Sequence, residues 1–210
     1  MKTLKKSMYD ITLPLSEKLL TYPRNPNFRI KRISFLSKGD SSNLSEFTCG
    51  THSGTHIDAP FHIKDGAETI DKIPNESFFG RARVFDLTRV KKEINKKDLE
   101  NFEINENEII LCKTRNGDLG YEKFNPDFVG LDNSAAEFLL SKKVKAIGVD
   151  YMSIKRKGEK NKVHNILLEN GIIIYEGLFL KEVPVGSYNF VGLPMKIIGA
   201  DGAPARAFLM

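Results

Sequence analysis

The 210-residue sequence predicts a mixed α/β fold, rich in strands and organised as one domain spanning 1–210. Three observations predict it. Short apolar or alternating runs bounded by Gly, Pro, Asn and Asp recur along the chain, the pattern of strands separated by turns. Helical signals are confined to three brief stretches. No linker, internal repeat or low-complexity segment divides the sequence, and its 40% hydrophobic and 10% aromatic content suffices for a core.

In order, 9–15 reads as an opening strand ending at Pro14, and Tyr22–Asn27 as a turn-rich loop. Phe28 to Phe35 alternates as a strand, followed by a polar turn over 38–43. The stretch 51–62 supplies the next strand, and 70–79 an irregular or briefly helical connection. Arg83–Leu87 reads as a strand, Asn95 as the cap of a short helix through Phe102, and Glu108–Cys112 as an apolar strand. Asp132 or Ser134 caps the clearest helix, Ala135–Lys143, which leads into a strand over Val144–Val149, so a strand–helix–strand unit is expected. Asp150 ends that strand, where sites on α/β sheets tend to lie. A second helix covers Lys162–Asn170, with Gly171 as its C-terminal cap. Ile172–Leu178, Phe190–Ile198 and Ala205–Met210 complete the strands.

The formal net charge is +5, carried by scattered lysines such as Lys91-Lys92, Lys142-Lys143 and Lys155-Arg156-Lys157. Aromatic residues do not interleave with them and no recognition motif accompanies them, so a solvated basic surface is expected and no nucleic-acid partner. Apolar runs such as Ile172–Tyr175 are too short to span a membrane. No apolar segment follows the charged start, Met1 to Lys6, so no leader is expected. Two cysteines, Cys49 and Cys112, form no disulfide framework and fit a reducing cytoplasm.

Chemistry concentrates in Thr51-His52-Ser53-Gly54-Thr55-His56-Ile57-Asp58-Ala59-Pro60-Phe61-His62. Three of the four histidines lie in these twelve residues. Imidazole and carboxylate are the usual donors to zinc, manganese or iron. Gly54, Pro60 and the β-branched residues argue for extended chain, in which His52, His56 and Asp58 share a face. A straight strand would separate His52 from His56 by roughly 14 Å, so a bend at Gly54 is expected, and a turn at Pro60 brings His62 back. His164, in the second helix, is expected to face inwards, and Glu176 sits in an otherwise apolar strand, where a carboxylate is costly unless paired or bound to metal. Two other readings use the same residues: Cys49 as a nucleophile beside His52, which a strand i, i+3 spacing opposes, and a non-catalytic metal site, which would leave His62 without a task.

His52-x-Gly54-Thr55-His56-x-Asp58-x-Pro60-x-His62 resembles the signature of the cyclase family of metal-dependent hydrolases, which includes kynurenine formamidases and isatin hydrolases. Asp10-Ile11-Thr12, Gly148-Val149-Asp150, His164 with Glu176, Leu193-Pro194 and Gly202–Arg206 resemble further landmarks. The resemblance implies a barrel-like central sheet with flanking helices and hydrolysis of an amide bond of a small molecule, first N-formylkynurenine, with a cyclic amide, imide or lactone as the alternative. It also implies one or two divalent ions, zinc or manganese, held by His52, His56, Asp58, His164 and Glu176, with His62 as the acid–base residue, and assembly as a homodimer or homotetramer. Kynurenine formamidases carry a tryptophan before a loop proline against the substrate; this chain offers Tyr22-Pro23 there instead, with Tyr22 expected to contact the aromatic ring.

Overall fold

The computed structural model describes residues 8–156 and 158–210. The start of the chain, read above for a leader, and Lys157 of the basic cluster lie outside the described residues. In chain order the strands are β1 (Tyr9–Asp10), β2 (Arg29–Ser34), β3 (Leu44–Thr48), β4 (His56–Asp58), β5 (Phe79–Asp86), β6 (Glu93–Ile94), β7 (Ile109–Lys113), β8 (Gly130–Leu131), β9 (Ala146–Val149), β10 (Ile173–Glu176), β11 (Gly186–Pro194) and β12 (Gly202–Leu209). The helices are α1 (Lys96–Leu99), α2 (Asn133–Ser141) and α3 (Val163–Leu168).

Seven strands close on themselves in the order β5-β7-β9-β10-β4-β12-β11, with β11 returning to β5, and β1 extends the sheet beside β12. One half, β5-β7-β9-β10, is parallel, and the remaining pairings are antiparallel. β7 and β9 carry apolar residues on both faces, as expected of strands buried on both sides, whereas β5 alternates Arg81 and Arg83 with buried Ala82 and Val84. Alternate residues divide between two cores. Ile57, Val84, Leu111, Ala146, Tyr175 and Ala203 belong to the barrel interior. Phe85, Ile110, Ile147, Val149 and Ile174 pack outwards against α2 and α3 through Ala135, Leu139, Val163 and Leu167. The interior leaves little room: a Cβ on Gly148 would lie 2.5 Å from the Leu178 side chain and 2.6 Å from Leu111.

Local chemistry explains the helix ends. Asn95 and Asp98 form a reciprocal capping box on α1. Asp132, not Ser134, caps α2, accepting from the Ala135 N–H at 3.0 Å. Gly171, with φ +75°, follows α3 in the left-handed conformation a C-terminal cap needs.

Several boundaries differ from the sequence reading. The opening strand is only β1 plus an isolated Thr12–Leu178 bridge, because Pro14 ends its pairing. A separate strand, β3, pairs with β2 before the histidine stretch begins. β5 starts four residues earlier than expected, at Phe79, and β11 starts at Gly186 rather than Phe190, because these two strands pair along Gly186–Val191. Among the described residues, no helix is long and apolar enough to cross a membrane.

Candidate metal centre

Residues on the outer face of the barrel, between β4, β10 and α3, make the site. In β4, Ile57 points inwards, so His56 and Asp58 point outwards on either side of it. Across the sheet His56 lies opposite Glu176, the last residue of β10, and Asp58 lies opposite Ile174. The helix α3 presents His164 over this face while Val163, Leu167 and Leu168 enter the core.

His52 reaches the cluster from a turn, not from the strand. Gly54 takes φ +63° and reverses the chain, and Gly177 takes φ +67° directly against it, where a Cβ would lie 2.3 Å from the Gly54 carbonyl oxygen. Thr55 ties the two loops by donating to the Gly177 carbonyl at 2.5 Å while accepting from the Leu13 N–H. The bend anticipated at Gly54 is therefore present, and it brings the His52 and His56 rings to 5.0 Å. The Pro60–His62 3-10 turn carries His62 back, with its ring 4.1 Å from that of His52.

The polar atoms converge. His52 Nδ1 is 2.8 Å from Asp58 Oδ1, and His52 Nε2 is 2.9 Å from Asp201 Oδ2. His56 Nε2 lies 3.3 Å from Glu176 Oε2 and 3.5 Å from Asp58 Oδ1. His164 Nε2 lies 3.4 Å from Glu176 Oε1 and 3.6 Å from Asp58 Oδ2. Glu176 Oε1 also accepts the Ile154 N–H at 2.6 Å. His62 Nδ1 is 3.4 Å from Asp201 Oδ2.

Burial raises the cost of a charge on Asp58, yet the neighbouring His52, then His56 and His164, hold its carboxyl well below the usual range. Glu176 is lowered in the same way by His164 and His56, against its own burial and the nearby Asp58. Burial opposes a charge on His52, but Asp58 and Asp201 together raise its pKa to about 9.

The donor set fits a divalent cation. The Gly54 carbonyl can only accept, so His56 Nδ1 carries the proton and donates at 2.9 Å. In the neutral ring, the form that binds a metal, Nε2 is then the lone-pair donor, and it is buried without a hydrogen-bond partner. Asp58 Oδ2 is orphaned in the same way. Buried polar atoms are ordinarily satisfied, and a cation facing both would satisfy them. Among the described residues three groups could hold an ion: His52, His56 and Asp58; Asp58, His164 and Glu176, which shares Asp58 with the first; and the more exposed His52, His62 and Asp201.

A cavity of about 400 Å³ opens over the cluster, lined by His52, His62, His164 and Glu176 and, on its outer wall, by Tyr22. Tyr22 is half-buried, edge-on to Phe124 at 5.4 Å. All seven residues singled out from the sequence thus meet at one place. Two other expectations fail. Asp150 is buried away from this cavity, accepting from Thr114 and Asn116, and does not enter the site. Cys49 makes no hydrogen bond to His52 among the described residues, and burial raises its thiol pKa, which removes the basis for a thiolate nucleophile. One residue escaped the sequence reading: Asp201, which contacts both His52 and His62. Its only signal was its place in Ala200-Asp201-Gly202, which reads as an ordinary turn.

A closed mixed barrel carrying a buried histidine–carboxylate cluster on its outer face defines a divalent-metal protein. The sequence matches the family model "Cyclase: Putative cyclase" over residues 9–156. It is 33% identical to a kynurenine formamidase of Bacillus cereus over 202 residues, 95% of each chain. It superposes on the "predicted metal-dependent hydrolase from Bacillus stearothermophilus" with a TM-score of 0.85 at 35% identity, covering 97% of both chains. Isatin hydrolase A from Labrenzia aggregata shares the fold, with a TM-score of 0.83 at 21% identity over 97% of this chain and 93% of that one. The chain belongs to the cyclase family.

Proposed function

We propose that the protein is a metal-dependent amide hydrolase of the arylformamidase type, cleaving N-formylkynurenine to kynurenine and formate in tryptophan catabolism. The observation that carries this reading is the pair of buried, orphaned ligand atoms, His56 Nε2 and Asp58 Oδ2, set against His52, His164 and Glu176, which line a cavity that also holds His62. The 33% identity to a kynurenine formamidase over nearly the whole chain supports the choice of substrate.

His52, His56 and Asp58 would hold one ion and His164 and Glu176 a second, with Asp58 between them. Zinc and manganese suit this mixture of imidazole and carboxylate. A divalent ion held there would supply polarisation of the carbonyl and a lower pKa for water. His62 moves the proton. With Nδ1–H donating to Asp201, its Nε2 is free to take a proton from the attacking water and return it to the departing aryl nitrogen. The C–O bond forms first and the C–N bond then breaks as the nitrogen is protonated, releasing the free arylamine and formic acid, which loses its remaining proton to solvent to become formate. His52 is unsuited to this shuttle, because both its nitrogens are directed at carboxylates. Tyr22 lies where it can stack on the aryl ring.

The same reading places the enzyme in the cytoplasm as a homodimer or homotetramer. The β2–β3 ribbon favours assembly, since a two-stranded ribbon is marginal alone and here exposes Ile30, Leu44 and Phe47. Sedimentation of the purified protein checks this, and a monomer would remove it.

The deciding experiment is a screen of zinc- and manganese-loaded protein against N-formylkynurenine, isatin and simple cyclic imides. Chelator-sensitive release of kynurenine is expected, and Tyr22→Ala should raise KM about tenfold, the scale of an aromatic contact. Hydrolysis of isatin without cleavage of N-formylkynurenine would transfer the reading to a cyclic-amide hydrolase. The absence of tryptophan from the chain, with Tyr22 in its place, is the observation that keeps that alternative in the screen.

A further inference from the structure

N-formylkynurenine carries an α-amino acid end several bonds from the formamide, zwitterionic at neutral pH, with an ionised carboxylate beside its ammonium. Bringing that charge to the wall of a cavity is costly unless an opposite charge meets it. We infer that Lys155 receives this carboxylate and so selects carboxylate-bearing aryl amides over neutral rings. The inference rests on the proposed arylformamidase reading of the same cavity.

Position comes first. Lys155 follows Ile154, whose N–H is anchored on Glu176 Oε1 at 2.6 Å, so its backbone is fixed one residue from a carboxylate of the cluster. Its own N–H donates to Ser153 Oγ at 3.3 Å, holding the segment in a local turn. Lys155 lines the cavity together with His62, His164 and Glu176.

Availability comes second. Lys155 is half-buried, and no carboxylate among the described residues pairs with it. Arg156, the other lysine or arginine on this wall among the described residues, is already engaged. Its Nη2 lies 3.3 Å from both the Pro126 carbonyl and Asp127 Oδ1, and its backbone nitrogen packs so closely on Gly130 that a Cβ there would lie 3.1 Å away. The described wall therefore offers one uncommitted ammonium, a compact charge on a flexible stem that suits an end group whose distance from the ring varies with rotamer.

The test compares two ligands on the metal-loaded protein by calorimetric titration: kynurenine, which carries the carboxylate, and 2′-aminoacetophenone, which presents the same ring and ketone without the amino acid end. Wild-type protein is expected to bind kynurenine the more tightly. In Lys155→Gln, the dissociation constant for kynurenine should rise about 10–100-fold, the worth of one charged hydrogen bond, and that for the neutral ketone less than about threefold. Lys155→Arg should recover part of the preference, which a folding defect would not allow. Equal losses for both ligands, no loss for kynurenine, or no preference in the wild type would each overturn the assignment. A wild type that prefers kynurenine but fails to hydrolyse its N-formyl derivative would leave the carboxylate site standing and sink the arylformamidase reading instead.

Discussion

Asp58 and Asp150 are both carboxylates removed from water, with 1% and 0% of their surface exposed, yet their surroundings are opposite. Asp150 accepts from the Thr114 N–H and Oγ1, each at 2.7 Å, and from Asn116 Nδ2 at 3.2 Å. All of these donors are neutral. They satisfy its oxygens without supplying charge, and burial pushes its pKa up to about 6. Asp58 faces three imidazoles, which hold its pKa far down, and one of its oxygens has no hydrogen-bond partner. A buried acid with every oxygen bonded to neutral donors is a clamp, here tying the end of β7 to the end of β9. A buried acid that keeps an open oxygen among imidazoles is a place for a cation. Burial alone does not distinguish them; the charge and completeness of their partners do.

The largest expected effect separates the two carboxylates directly. Asp58→Asn should lose most of its metal on dialysis, and its turnover should fall well beyond the 10–100-fold typical of groups that merely support a ligand. Asp150→Asn should keep full metal content. Elemental analysis of both variants decides it. Metal loss from Asp150→Asn, or retention by Asp58→Asn, would break the comparison.

His62→Ala comes next, and it sharpens the boundary of the cation site. His62 stands beside the imidazoles and, among the described carboxylates, pairs with Asp201 alone, at 3.4 Å. It should therefore keep its metal while turnover drops about 10²–10⁴-fold, the range of general acid–base catalysis. The deficit should shrink for formanilides with electron-poor rings, whose nitrogen needs less protonation to leave. If the variant comes out of dialysis without metal, His62 is a ligand.

These residues were largely legible in the sequence because the chemistry is concentrated. His52, His56, Asp58 and His62 fall within eleven residues, and Gly54 and Pro60 mark the bends that let them converge. Glu176 was visible as a lone acid in an apolar run. Asp201 was not, because nothing in a polar Asp-Gly turn reveals that β12 pairs with β4 and carries the turn to His52. The same long-range pairing closes the barrel, and strand periodicity shows which face a residue takes, never which strand lies beside it. Asp150 misled for a related reason. The end of a parallel strand is where sites often form, but Thr114 and Asn116 fill the position with donors.

The third effect is on stability and tests the Asp150 side of the comparison. Its folded pKa, about 6 against an ordinary 3.8, means that the folded protein holds this proton more tightly than the unfolded chain does. Its contribution is therefore fully present below about pH 3.8 and is lost as pH rises through about 6. A shift of roughly two units corresponds to about 3 kcal/mol. Urea unfolding of wild type and Asp150→Asn between pH 4 and 7 isolates the effect, since the other carboxylates are common to both. The wild type's advantage over the variant should shrink by about that amount across the window. A constant difference would show that the neutral donors stabilise the ionised form after all.

The smallest effect concerns Asp201, which belongs to neither class. It is a half-exposed acid that contacts His52 on one side and His62 on the other, and it accepts from Thr51 Oγ1 at 2.8 Å. Asp201→Asn should cost about tenfold in turnover, as expected of a group that orients a functional histidine. The question is which histidine it serves. If it acts by holding His62 Nδ1–H, the substitution should have little effect in a His62→Ala background, and the two changes will be strongly non-additive. If it acts by orienting His52 as a ligand, the loss will persist in that background and metal affinity will fall with it. The pairing of Nδ1 with Asp201, which leaves His62 Nε2 free over the cavity, favours the first outcome. Full additivity in turnover, together with weaker metal binding, would move Asp201 from the proton shuttle to the metal centre.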